Sequence, residues 1–181
     1  MINVLTYIFP IALLIAAASD IARFEIPNWV SIVLTIGYFV TALLGGVPFT
    51  ELALHAGAGA AVFMAGAVLF YFGAFGGGDV KLMAACAVWI GWHDLLSFLL
   101  IVGLAGGVVT LMLVVSRLLY RIGRKNYASA SDEAASDEKA TSWYARLLSP
   151  ERGVPYGVAI GLAGLLAFSS VREQLIFVAG I

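Results

Sequence analysis

Six apolar runs, separated by short polar or glycine-rich turns, leave this chain few folds to adopt. They fall at about 4–19, 29–45, 52–72, 80–92, 95–116 and 155–171, and most approach the roughly 20 residues that a helix needs to cross a hydrocarbon core of about 30 Å. Hydrophobic residues make up 62% of the 181 and charged residues only 12%, with a mean hydropathy of +1.00. That composition excludes an ordinary water-soluble domain. Within lipid the backbone must satisfy its own hydrogen bonds, which for runs of this length means helices. The expectation is an all-α integral membrane protein of about six transmembrane helices, forming a single polytopic domain over 1–181. The opening Met1-Ile2-Asn3 carries no Lys or Arg, and the first run leads into Asp20 without a cleavage signal. It reads as a retained span.

The fourth run is short, reaching roughly 20 Å at 1.5 Å per residue. Charge argues that it crosses nonetheless. With six spans, the connections after the first, third and fifth share a face and carry Arg23, Lys81, Arg117, Arg121, Arg124, Lys125, Lys139, Arg146 and Arg152, leaving Arg172 alone beyond the sixth. The positive-inside rule makes the crowded face cytoplasmic and puts the N-terminus outside. A fourth span that begins below the membrane surface at a glycine-rich turn accounts for its length. The connection at about 117–152 is expected to be cytoplasmic and partly disordered, because Tyr127 to Ser142 has almost no large apolar residue to offset ordering entropy. Its flanks, Arg117 to Arg124 and Trp143 to Leu148, mix Arg with Leu, Tyr and Trp and are expected to lie along the headgroups.

Asp79 ends the glycine run Gly76-Gly77-Gly78 at the start of the fourth span, and Asp20 closes the first. An ionisable group at such depth costs at least about 2.5–3.5 kcal/mol, so it implies a function. The topology puts both acids at the cytoplasmic ends of spans, where they can meet. Two carboxylates within a few Å share a proton, and the pair can activate a water with one member and protonate a carbonyl oxygen or leaving amine with the other. For Asp20 taken alone, a solvated helix end is the better explanation; for Asp79 in Gly-x-Gly-Asp the balance reverses. The glycines remove side chains where a substrate chain must approach. Arg23 and Lys81, close after the two acids, either tune the pair or snorkel to lipid phosphates.

The runs Asp20-Ile21-Ala22-Arg23-Phe24-Glu25-Ile26-Pro27-Asn28 and Gly76-Gly77-Gly78-Asp79-Val80-Lys81, with Val154-Pro155-Tyr156-Gly157 at the start of the last span, resemble the type IV prepilin peptidases, membrane aspartic proteases of the GxGD class. The resemblance implies a six-helix endopeptidase of the bacterial cytoplasmic (inner) membrane. It implies removal of the basic leader of prepilins or pseudopilins at the cytoplasmic face, after a glycine. Asp20 and Asp79 fall on the catalytic positions, and Arg23, Pro27, Asn28, Gly76, Gly78, Lys81, Pro155 and Tyr156 on supporting or substrate-binding ones. Long-form members add an N-terminal segment with paired cysteines and methylate the product. This chain begins with a span and has one cysteine, so it resembles the short, peptidase-only branch of Flp-type pili, and no N-methyltransferase activity is expected.

Other residues exclude other chemistries. His55 and His93 form no His-Glu-x-x-His, so no metal and no organic cofactor is expected. Cys86 reads as a small buried hydrophobe. The net charge of −1 points to no nucleic acid; membrane lipids and the prepilin are the expected partners, and nothing in the sequence sets an oligomeric state. Gly103-x-x-x-Gly107 and Gly157-x-x-x-Gly161 are spacings that let helices pack closely. Pro27 and Asn28 are expected to start the second helix, and Glu25 to be a solvated loop acid. Two rival readings use the same acids: a transporter or non-catalytic assembly component binding protons or cations, and a presenilin-like protease, which shares Gly-x-Gly-Asp but lacks Ile-Pro-Asn.

Overall fold

The computed structural model describes residues 2–128 and 154–178, and these are all helix and turn. The helices are α1 (Ile2–Leu5), α2 (Ile8–Arg23), α3 (Asn28–Leu44), α4 (Phe49–Tyr71), α5 (Gly77–Ala128) and α6 (Tyr156–Val178). Among the described residues, α4, α6 and the 44-residue part Gly77–Tyr120 of α5 are long and apolar enough to cross a membrane, and α3 is a shorter apolar helix. Their outward faces are as apolar as their inward ones: Leu96 and Leu104 are 70% and 72% exposed. Such helices need lipid around them, and this is a membrane protein.

The breaks follow local chemistry. Pro10 sits in the first turn of α2, where its ring clashes with a continuous helix at the carbonyl four residues back; the Thr6 carbonyl takes the Phe9 N–H instead, at 3.2 Å. The first apolar run is therefore two helices rather than one span from residue 4. Both α3 and α4 end in Schellman closures, with Val47 N–H donating to Ala42 O (3.0 Å) and Ala74 N–H to Leu69 O (2.9 Å), each around a glycine with positive φ. Pro27 and Pro48 then precede the first residues of α3 and α4.

At 1.5 Å per residue, Gly77–Tyr120 would measure roughly 66 Å as one rod, twice a bilayer core. Gly91 breaks it. Its φ of 67° and ψ of −179° lie in a region open only to glycine, and a Cβ there would fall 2.6 Å from the His55 ring. The chain reverses at this point into a first arm, 77–90, and a second, 92–128. Against the first arm, α4 runs antiparallel, with His55 bonded to Val88 O (2.8 Å) and Gly66 against Val80. Alongside the same arm α3 runs parallel: Asn28 meets Lys81, and Leu34 O accepts the Trp89 indole N–H at 2.7 Å. The second arm is antiparallel to α6, since Asp94 meets Ser170 and Gln174 while Gly106 faces Tyr156. Direction thus alternates from rod to rod. The ends of α2 and α4 and the starts of α3, α5 and α6 gather at one end of the bundle.

Fully buried Phe9, Tyr38 and Trp89 form the aromatic centre of the core, with ring centroids 5.3 Å (Phe9–Trp89) and 5.7 Å (Tyr38–Trp89) apart, and His55 stacks on Tyr38 at 4.9 Å. Cys86 is buried among them, as a small hydrophobe should be. Three expectations need correction. Residues 117–128, expected to belong to the connection at about 117–152, continue the second arm as helix, while the rest of that connection lies outside the described residues. Arg172 falls within α6, not beyond it. Among the described residues no atom approaches within 4 Å of a Cβ placed on Gly103 or Gly107, so that pair is not a packing contact there; Gly161, 3.4 Å from Ala17 Cβ and Leu13 O, is one.

Candidate active site

At the end where those termini gather lies a cavity of about 540 Å³, and both Asp20 and Asp79 line it. Asp20 stands in the last turn of α2 and is only 4% exposed. The next residues leave the helix through Phe24, whose φ of 57° makes it the sole non-glycine residue with positive φ among those described; its N–H donates to Asp20 O at 2.8 Å. That left-handed cap turns the chain across the cavity mouth, so that Phe24, Glu25 and Ile26 all line it.

Asp20 is held from the far side of the sequence. The Gly157 N–H, in the first turn of α6, donates to Asp20 Oδ2 at 2.7 Å, and the Val158 N–H acts on the same carboxylate. These are among the donors that a helix start leaves unpaired, and the helix dipole adds to their pull on an anion. Only glycine fits: a Cβ on residue 157 would lie 2.8 Å from Asp20 Oδ2 and 2.8 Å from Ile26 Cδ1.

Asp79 is the third residue of α5, and its side chain turns back to the backbone N–H of Gly76, as the acid of a capping box does. A Cβ on Gly76 would come within 2.7 Å of Asp79 Oδ2, and one on Gly78 within 3.2 Å of Ile26 Cβ. Each glycine of the motif thus has its own spatial reason: one clears the carboxylate, the other lets the 24–27 turn close on α5.

The remaining residues singled out from sequence divide. Asn28, Gly76, Gly78 and Tyr156 line the cavity, and the Tyr156 ring packs on Phe75 at 5.2 Å. Pro27 precedes the first turn of α3 and Pro155 is buried beneath the start of α6, both outside the lining. Arg23 is exposed and does not line the cavity. Lys81 turns from Asp79 to donate from Nζ to Asn28 Oδ1 at 2.9 Å, so it braces the rim. Glu25 is exposed at the mouth, and its carbonyl accepts from the Ser19 hydroxyl at 2.9 Å. The grip of Gly157 on Asp20 has one trace in the sequence, a glycine in the first turn of a helix, where free N–H groups can hold an anion. His55 and His93 find partners in Val88 O and Asp94, and the described residues contain no cluster of three or more His, Cys, Asp or Glu able to hold a metal.

The chain is thus a helical membrane protein in which two acids line one cavity where the helices end. The chain matches the type IV leader peptidase family over residues 7–111, a stretch that contains both acids, and it belongs to that family. It is therefore a membrane peptidase. No curated protein and no solved structure matches it.

Proposed function

We propose that this protein is an aspartic endopeptidase that removes the basic leader from type IV prepilins of the Flp type, cutting after a glycine, with Asp20 and Asp79 as its catalytic pair. The observation that carries the reading is the shared cavity, in which two acids 59 positions apart in sequence face one volume of about 540 Å³. In this reading Asp20, oriented by the Gly157 N–H, takes a proton from the attacking water. Asp79 carries the proton shared by the pair to the carbonyl oxygen, and the acid left protonated gives its proton to the leaving amine. No metal or organic cofactor takes part. Pseudopilins with similar leaders are substrates of the same kind.

The reading extends to the membrane. Six rods of alternating direction, together with a sequence whose basic residues cluster in and beside the connections after the first, third and fifth apolar runs and are lacking at 45–51, support six spans with the N-terminus outside and the site at the cytoplasmic face of a bacterial inner membrane. The first arm of α5 is the shortest rod, so its glycine turn sits below the surface and lines a watery cavity. The reading includes no methyl transfer, in keeping with the single cysteine.

Co-expression with a type IV prepilin tests it: Asp20→Asn and Asp79→Asn are each expected to abolish leader removal while leaving the protein inserted at normal abundance. Substantial cleavage by either single variant would end the two-acid assignment, because no spare acid can assume the missing role.

A further inference from the structure

Asp94 stands just past the Gly91 break, at the end of the bundle away from the two acids, and it collects polar partners from two helices. Its Oδ2 accepts from the Ser170 hydroxyl and from Gln174 Nε2 at 2.8 Å, while Oδ1 pairs with His93 Nδ1 at 2.9 Å. Ser170 and Gln174 are four positions apart on one face of α6, so a single oxygen grips that helix at two successive turns. A carboxylate facing a helix seam in a membrane protein is costly, and apolar packing would hold the two helices as close without it. What a polar contact adds is register. It admits one height of one helix on the other, the part that a single buried asparagine plays in a coiled coil.

The height of α6 matters at its other end. Its first turn offers the Gly157 N–H to Asp20 Oδ2 at 2.7 Å, and a slip of about 0.5 Å takes a bond of that length to the edge of the normal range. Contacts along the rest of the helix set spacing more than height. Toward α2 it presents bare backbone at Gly161 and Gly164, against Ala17 and Leu13. Toward the second arm of α5 the Tyr156 ring lies on Gly106, and its hydroxyl is 3.5 Å from Thr110 Oγ1, at the limit of a hydrogen bond. The two bonds at Asp94 supply the register that these contacts lack.

We propose that Asp94 is a positioning residue for the two-acid site: from the far end of α6, about 20 Å along the helix from Gly157 to Ser170 at 1.5 Å per residue, it sets the height at which the helix start meets Asp20. The assignment rests on the peptidase reading above and adds to it a residue that touches neither the substrate nor the acids.

The full chain in lipid nanodiscs, with a type IV prepilin as substrate and isotope-labelled glycine for amide spectra, tests it; the Gly157 signal is the one missing from Gly157→Ala. Asp94→Ala is expected to lower kcat about tenfold with KM unchanged, and to move the Gly157 amide proton upfield as its bond to Asp20 lengthens. Asp94→Asn, whose amide oxygen accepts from both Ser170 and Gln174, keeps the wild-type signal and a kcat within about twofold. Gln174→Leu removes one of the two donors and gives an intermediate kcat and shift, which decides the matter if Asp94→Ala does not insert. Leu52→Ala, a buried leucine of α4, lowers stability without touching α6 and leaves kcat per folded molecule and the Gly157 signal unchanged. An unmoved Gly157 signal in the Asp94→Ala and Gln174→Leu variants, a loss in Asp94→Asn or Leu52→Ala as large as in Asp94→Ala, or an effect on KM alone would overturn the positioning role while the peptidase reading stood. If the wild-type chain cleaves no prepilin, both fall together.

Discussion

Substituting Gly157 by Ala adds one methyl group and should remove most of the activity. The new Cβ would stand 2.8 Å from Asp20 Oδ2 and 3.1 Å from Asp20 Cβ, where ordinary contact begins at 3.4 Å, so the carboxylate must retreat by about 0.6 Å. Ile26 Cδ1, also 2.8 Å away, blocks relief on the other side. The retreat stretches the 2.7 Å bond from the Gly157 N–H. A hydrogen bond to a charged group contributes about 1.5–3 kcal/mol, which, if lost when the carboxylate must act, converts to a roughly 10- to 100-fold fall in rate. Alanine is the better helix former by about 1 kcal/mol, so global stability should hold. The assay is kcat for leader removal by purified protein in lipid, alongside its thermal midpoint and membrane abundance. Gly161→Ala, whose Cβ would meet its neighbours at 3.4 Å, is the matched control and should keep near wild-type activity. If Gly157→Ala cleaves within about threefold of wild type, the argument that α6 positions Asp20 is refuted.

Further outcomes follow from the same geometry. Rate against pH should be bell-shaped, falling where the pair is doubly protonated and where it is doubly ionised, and a single-limbed profile would argue against a shared proton. Activity should survive strong chelators and serine-directed reagents; loss in EDTA restored by zinc would contradict the two-acid chemistry. Gly91→Ala should lower stability by at least about 2 kcal/mol in a reversible unfolding assay, since it combines a glycine-only backbone with overlap on His55, whereas Gly103→Ala and Gly107→Ala, in open space, should cost nothing. In a Cys86→Ala background, cysteines at Ala22 and Thr50 should react with an impermeant thiol reagent from opposite faces of the membrane; labelling from one face would break the alternation on which the site depends.

The outline was legible because hydropathy sets where helices can exist. Asp20 and Asp79 could be paired across 59 positions once each was seen to end or start an apolar run. What the sequence hid were effects of detail in three dimensions. Pro10 ends α1 early through a clash with a carbonyl, a matter of one turn inside an unbroken apolar run. The two glycine pairs at four-residue spacing look alike as strings, yet Gly157 and Gly161 meet α2 while Gly103 and Gly107 meet nothing among the described residues, because facing a neighbour is a property of the assembled bundle. The polar cluster of Asp94 with Ser170 and Gln174, which ties the second arm of α5 to α6, spans 80 positions and left no local mark. The charges after residue 116 suggested the end of a helix, but Arg117 to Lys125 repeat at helical spacing and the helix continues.

The proton chemistry proposed for the two acids places a demand on the charge around them. Lysine or arginine beside each carboxylate would satisfy burial, but a full positive charge within about 4 Å holds an acid ionised and ends its ability to share a proton. Among the described residues neither Asp20 nor Asp79 forms a salt bridge, and Lys81, two positions from Asp79, is engaged with Asn28. Each acid instead meets backbone N–H groups at a helix start: Gly157 at the head of α6 for Asp20, Gly76 at the head of α5 for Asp79. A helix terminus presents only about half a unit charge. That is enough to orient a buried carboxylate and too little to fix both members of a pair as anions, which is what the proposed shared proton requires. Glycines at both helix heads then follow from a single requirement, since a side chain at either place would intrude between the carboxylate and its N–H donor.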